Sequence, residues 1–353
     1  TLRMFTEPAI VLDRGLLVAH LKDIAAGKEK LMEKISHDRK ELMSNPKFAA
    51  VLERLGVTVP MKISPTTGKE TYAFAKTDEG LKALQDHPEI KVQNLVSARL
   101  GVKSTLEEKR TQRFIDIADR GALPVPLRYY AAHTGRWGGD DKINMQNLPR
   151  GSQLKYALCA PPGFTFIDCD LSQIEVRVLA WLAQQEDILT AFENGEDVYR
   201  IMASTIYGKN TGEVTKEERF VGKQTVLGCG YGMGFTRFQA QLQSLGVALP
   251  TAECQHIIET YRNSFPQIRS FWKDATTSLE AIMQRDHMPL GRGGVLQVEG
   301  ARGIRLPNGL YLRYPNLRTV INQETKRDEY VYDVKRGKSL KENRIYGGKV
   351  VEN

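Results

Sequence analysis

Asp170 lies within Phe166-Ile-Asp-Cys-Asp-Leu-Ser-Gln-Ile-Glu-Val-Arg-Val-Leu-Ala-Trp-Leu182, at the seam between an apolar stretch and a helical repeat. A carboxylate in that position can face a cleft, and a lone acid there invites a metal ion. Oxygen is the donor to expect. Cys159, Cys169, Cys229 and Cys254 lack the paired short spacings of a zinc site, and the six histidines, His133 included, show no ligand spacing. A second set of residues, Arg219, Lys223, Leu227 and Tyr231, recurs every four positions. On a helix, steps of four rotate by ~40° and climb ~6 Å, so these side chains form one slowly turning stripe whose two cations match neighbouring phosphates. Arg and Lys four apart are also an ordinary solvated face; the tyrosine and glycines downstream at fixed offsets set this case apart. Glu175 has two readings. With Ser172 it has the spacing of a capping box, or it faces the same ligand as the stripe.

The elements that must position these residues can be read around them. Phe164, Phe166 and Ile167 predict a short half-buried strand after Pro161-Pro162-Gly163, followed by a helix marked by Ile174, Val178 and Leu182. Thr215 and Glu218 form a capping box that starts the stripe-bearing helix just before Arg219. Upstream, residues 14–44 read as one or two amphipathic helices and 58–76 as a loop. Residues 78–119 read as helix broken near Pro88 and Gly101, carrying Lys91, Arg99, Lys103, Lys109, Arg110 and Arg113. Residues 128–151 form a polar, glycine-rich connection of the kind that is usually functional. Helical pattern fills 186–281, with breaks at Pro250 and Pro266, and the alternating stretches 310–314 and 330–334 predict hairpins.

Composition sets outer limits. The 353 residues carry 50 Lys+Arg against 42 Asp+Glu, a net charge of +8 that favours a polyanionic partner. No apolar run approaches the ~20 residues that span a bilayer, and the first residues carry an acid and a proline where a signal peptide has a clean apolar core. The expectation is a soluble, intracellular protein with reduced thiols.

Asp170-Leu-Ser-Gln-Ile-Glu-Val-Arg177, followed by Arg219-x3-Lys223-x3-Leu227-x3-Tyr231-Gly232, resembles the first two polymerase motifs of the family A DNA polymerases. Thr134-Gly-Arg136 with Asn144-x-Gln146-Asn147-Leu-Pro149 is similar to that family's loop before the first motif, and Lys103-Ser104-Thr105 to its thumb. The resemblance implies an α+β right-hand fold, an antiparallel palm sheet with largely helical thumb and fingers. It places a first palm piece at 1–30, the thumb at 31–125, palm at 126–185, fingers at 186–335 and an incomplete return to the palm at 336–353. It implies template-directed transfer of a nucleotide from a dNTP to a primer 3'-hydroxyl with two Mg2+ ions, held by Asp170 and the Leu171 carbonyl. Asp170 and Lys223 would be catalytic, Lys223 as proton donor to pyrophosphate. Arg219, Lys223, Leu227, Tyr231, Glu175, Gln173 and Tyr199 would bind the dNTP, with Glu175 and Tyr231 excluding a 2'-hydroxyl. Arg136, Asn144, Gln146, Asn147 and Lys103 would contact primer-template DNA.

Three positions depart from the family pattern. Leu227 replaces the usual Phe or Tyr, Tyr199 stands where many members have a phosphate-contacting histidine, and the third motif, His-Asp-Glu on a hairpin, is not in the sequence. Asp328-Glu329 is a poor substitute, without the histidine and apolar flanks. The closing Tyr346-Gly-Gly-Lys-Val-Val-Glu-Asn353 is similar to the start of the helix before that hairpin, so the chain reads as a fragment or as half of a split enzyme whose partner polypeptide carries the missing motif. Two other readings stand beside it: a catalytically silent module that binds primer-template and dNTP, and a single-subunit RNA polymerase.

Overall fold

Asp13 starts the first long helix: its carboxylate accepts the Leu16 amide at 2.8 Å, and α1 runs Arg14–Glu33. The computed structural model describes residues 2–64, 68–323, 325–336 and 339–353. The chain forms two compact units, Thr1–Asp168 and Cys169–Asn353.

In the first unit, α2 (Asn45–Arg54) carries a proline, Pro46, in its first turn. An antiparallel hairpin follows, β1 (Met61–Ile63) with β2 (Glu70–Tyr72), Ile63 opposite Glu70. The loop expected over 58–76 therefore contains a sheet; its residues 65–67 lie outside the described residues. Helices α3 (Ile90–Lys103) and α4 (Leu106–Ala118) come next. The break falls at Ser104; Gly101 stays within the helix, and Leu31 of α1 packs 2.5 Å from where a Cβ on it would be. Phe48, Leu52, Leu81 and Leu95 centre one core, while Leu12, Leu17, Phe114 and Leu154 centre a second. Val11–Leu12 pairs antiparallel with Leu158–Cys159 beside that second core.

The second unit opens with α5 (Ile174–Ala183), α6 (Val198–Tyr207) and α7 (Lys216–Cys229), and continues through α8 (Thr251–Ser264) and α9 (Pro266–Gln284). Two small antiparallel sheets follow. In the first, β3 (His287–Leu290), β4 (Leu296–Glu299), β5 (Ile304–Arg305) and β6 (Tyr311–Leu312) lie in chain order; β7 (Arg318–Ile321), β8 (Asp328–Arg336) and β9 (Ser339–Ile345) form the second. The short α10 (Gly347–Glu352) closes the chain and packs on α9. One apolar core joins these helices and sheets, from Val176 and Leu179 through Phe238 and Ile257 to Leu312 and Ile345. Helices with small antiparallel sheets make the fold α+β, as expected.

Two local expectations fail around Asp170. Phe164, Phe166 and Ile167 form no strand and are 77%, 54% and 85% exposed, since no described segment offers them a backbone ladder. The Ser172–Glu175 capping box is also absent. Gln173 caps α5 instead, in the left-handed conformation at φ 55° and without a side-chain bond to the helix start.

Candidate functional site

Helix α7 is fixed at its start by the predicted box: Thr215 Oγ1 accepts the Glu218 amide at 3.1 Å, and Glu218 accepts the Thr215 amide at 2.9 Å. Lys209 also bonds Glu218 and is the main cause holding that carboxyl below its usual range. Val221, Gly222, Thr225, Val226 and Cys229 turn inward, so Arg219, Lys223, Leu227 and Tyr231 are left on the half-buried outer face as one stripe. Gly222 is required by its neighbour: a Cβ there would lie 2.3 Å from the Tyr199 carbonyl of α6.

That close approach brings the two helices' functional ends together. Asp197 caps α6, its Oδ1 accepting the Tyr199 and Arg200 amides at 3.1 and 3.3 Å. Its other oxygen accepts Arg219 Nε at 2.6 Å. The Arg219 guanidinium also stands over the Tyr199 ring, 5.5 Å from its centre. Tyr199 itself is only 6% exposed, so it supports Arg219 from beneath. Burial pushes its hydroxyl's pKa up, Arg219 opposes that, and Asp197 and Glu175 reinforce it. Lys223 makes no ion pair among the described residues, which leaves its ammonium open to a ligand.

Asp170 and Leu171 are both exposed immediately before α5. A carboxylate and a backbone carbonyl suit a hard cation such as Mg2+, which keeps several waters and takes few protein ligands. No group of three or more acidic, His or Cys side chains gathers into a metal site among the described residues. Asp328 and Glu329 do not form a substitute: Asp328 pairs with Ile321 in the β7–β8 ladder, and Glu329 is held by Asn322 and Arg344. Gln173 carries a buried Oε1 without a hydrogen-bond partner. Such an acceptor costs ~1–3 kcal/mol until a donor arrives. Arg177 steadies the turn before α5, donating to the Ser172 carbonyl at 2.9 Å with its guanidinium 4.0 Å from the Phe192 ring centre.

The expected DNA contacts lie in the first unit. Arg136, Gln146 and Asn147 are exposed on the glycine-rich connection, Gln146 donating to the Trp137 carbonyl at 3.2 Å. Asn144 there has a buried Oδ1 without a partner, as Gln173 does in the second unit. Lys103 ends α3 and donates to Asn45 Oδ1 at 2.9 Å, an oxygen it shares with Arg99. Arg99 is 1% exposed, 4.2 and 4.9 Å from the Phe48 and Phe74 ring centres, and donates to the Leu42 carbonyl. Burial lowers the Lys103 ammonium pKa, and the Arg99 charge adds to that.

Sequence reasoning passed over Asp197 and Arg99. Asp197 left a signal, an acid just before the apolar repeat of α6. Arg99 left none, because a cation among helical charges reads as solvated.

The second unit is thus one of helices and small antiparallel sheets that carries an anchored arginine and a lysine without an ion pair among the described residues on one helix face, with an exposed acid before α5. The model of DNA polymerase family A matches residues 17–292, and the chain belongs to that family. The thermostable DNA polymerase I of Thermus aquaticus is 34% identical over 160 residues, 44% of this chain and 18% of that protein. The DNA polymerase of Bacillus phage SP02 is 28% identical over 266 residues, covering 64% and 41%. DNA polymerase I of Pseudomonas aeruginosa is 26% identical over 283 residues, covering 78% and 28%. The chain thus spans less than half the length of these relatives. Its fold is similar to that of the polymerase domain of Pol1 from M. smegmatis, solved with DNA primer-template and dNTP, at TM-score 0.59 and 23% identity over 77% of this chain and 47% of that one.

Proposed function

We propose that this chain supplies the dNTP-binding wall and the first metal-binding carboxylate of a template-directed DNA polymerase. The observation that carries the reading is the α7 stripe, with Arg219 clasped by Asp197 at 2.6 Å and, four residues on, Lys223 without an ion pair among the described residues. Arg219 and Lys223 hold the triphosphate, and Lys223 gives a proton to the departing pyrophosphate while its charge offsets the developing anion. Asp170 and the Leu171 carbonyl would hold Mg2+, which would supply Lewis-acid stabilisation of the charge that develops on the reacting oxygens. Glu175 and Tyr231 wall off the 2' position of the sugar, Leu227 packs on its face, and Gln173 gives its buried Oε1 to a donor on the ligand. In the first unit, Arg136, Asn144, Gln146 and Asn147 contact bases in the minor groove and Lys103 a backbone phosphate. The second metal-binding carboxylate comes from outside these 353 residues, on the same polypeptide or another.

Titration of dNTP into the chain with Mg2+, followed by primer extension with and without a polypeptide bearing a His-Asp-Glu hairpin, tests this. Binding that falls at least about tenfold in Lys223→Ala, together with extension of deoxynucleotides on complementation, is the expected result. Binding without extension in either arm identifies a silent binding module. Equal use of ribonucleotides contradicts the sugar gate.

A further inference from the structure

Helix α7 ends in a turn that carries Tyr231. The last carbonyls of a helix have no partner within it, and the chain here closes on itself only in part: the Tyr231 amide donates to the Gly228 carbonyl at 3.4 Å and the Gly232 amide to the Cys229 carbonyl at 2.9 Å, with Gly232 at φ 76°. The Gly230 carbonyl accepts from another element. Trp272, half-buried on α9 and 42 residues away in sequence, donates its Nε1–H at 2.8 Å. That carbonyl belongs to the planar peptide joining Gly230 to Tyr231, so a bond to it fixes the plane from which Tyr231 departs.

Three further helices meet the same turn. A Cβ on Gly230 would lie 2.8 Å from Leu179 Cδ2 of α5 and 3.5 Å from the hydroxyl of Tyr261, a buried residue of α8. A Cβ on Gly348 of α10 would lie 2.3 Å from the Tyr231 carbonyl, and one on Gly347 1.9 Å from the Trp272 carbonyl. Leu179 stands one helical turn, ~6 Å, beyond Glu175 on α5, so its packing on Gly230 ties the turn bearing Tyr231 to the helix bearing Glu175. Apolar packing has no direction, whereas a hydrogen bond fixes an angle as well as a distance. Leu179 keeps the turn close to α5, and Trp272 sets how it is rotated.

From the Trp272–Gly230 bond and the packing of that turn on α5, we propose that Trp272 is a positioning residue for sugar discrimination, holding Tyr231 at the spacing from Glu175 that excludes a 2'-hydroxyl. It acts through Tyr231 and touches neither nucleotide nor metal. Without the bond the Gly230–Tyr231 peptide can turn, the spacing widens and a ribose enters. The inference rests on the reading of Glu175 and Tyr231 as the wall at the 2' position, and adds to it what keeps that wall in place.

Titration of dATP and of ATP, each with Mg2+, into the whole chain is the test, with melting curves in parallel. Trp272→Phe keeps an aromatic ring and loses the donor; benzothienylalanine at the same position, with sulfur in place of the N–H, keeps the shape of the indole as well. Both should lower the preference for dATP over ATP about fivefold, the fold-change that one neutral hydrogen bond reads. The change should come from tighter ATP binding, with dATP affinity within about twofold of the parent. Glu175→Ala should lower the preference by itself, and Trp272→Phe added to it should change nothing further, since both act through one wall. A preference unchanged in both Trp272 variants, an equal fall in the two affinities, or effects of Trp272→Phe and Glu175→Ala that simply add, overturns the inference. A parent without preference, or one whose preference survives Glu175→Ala, overturns the reading of the wall itself, whatever Trp272→Phe does.

Discussion

Asp197 shows how one carboxylate can serve two ends. One oxygen satisfies amides at the start of α6, and the other holds Arg219 at 2.6 Å. Asparagine in its place keeps the cap, because an amide oxygen accepts the same bonds, but it removes the charge that orients the guanidinium. Asp197→Asn is therefore expected to leave thermal stability within about 1 kcal/mol while lowering dNTP affinity about five- to tenfold, read by nucleotide titration beside a melting curve. A drop in stability with unchanged affinity would assign Asp197 to the cap alone. Leu227 poses a complementary question, since it is half-buried on the stripe and packs partly into the core. An aromatic ring in its place adds ~0.5–1.5 kcal/mol of face contact. Leu227→Phe should raise single-nucleotide incorporation in the complemented enzyme and alter discrimination between deoxy- and dideoxy-sugars; kinetics matching the parent in both would remove this position from nucleotide handling.

At the scale of elements, the decisive contact is between α6 and α7. Gly222 sits mid-helix, where alanine ordinarily gains ~1 kcal/mol of propensity. Here the added Cβ would lie 2.3 Å from the Tyr199 carbonyl and 3.0 Å from the Ala203 amide nitrogen, both backbone atoms that cannot swing aside. Overpacking at ~1–3 kcal/mol or more outweighs the gain, so Gly222→Ala should lower the melting temperature by several degrees. It should also weaken dNTP binding, because the displaced α7 carries Arg219 away from Asp197. A variant as stable as the parent would show that the helices can separate at no cost.

For the molecule as a whole, three thiols report how burial is distributed across the second unit. Cys169 is exposed beside Asp170, whereas Cys229 and Cys254 are buried. Burial pushes the Cys229 thiol up to about 12 and raises Cys254 as well. The raised value keeps Cys229 protonated below it, so its thiolate is scarce up to about pH 9 and raising pH within that range brings little reactivity. A thiol reagent should modify Cys169 within seconds to minutes in the native protein and reach Cys229 and Cys254 only on unfolding. Fast native labelling of Cys229 would mean that the core around α7 opens.

The outer stripe of α7, its capping box and the acid before α5 were legible in the residues because each depends on local spacing. Four-residue steps define a face whatever surrounds the helix, and a threonine three residues before a glutamate closes a cap by itself. The same local logic misread Ser172–Glu175 and the Phe164–Ile167 stretch. A cap depends on the backbone angle that Gln173 adopts, and a strand exists only when another segment supplies its hydrogen bonds. Asp197 against Arg219 and Arg99 against Phe48 and Phe74 join residues distant in sequence. Sequence by itself determined which chemical groups lie along each helix and hence the family. Only tertiary packing decided which of those groups are held by a partner and which stay open to a ligand, since charge pairing and burial follow distance in space.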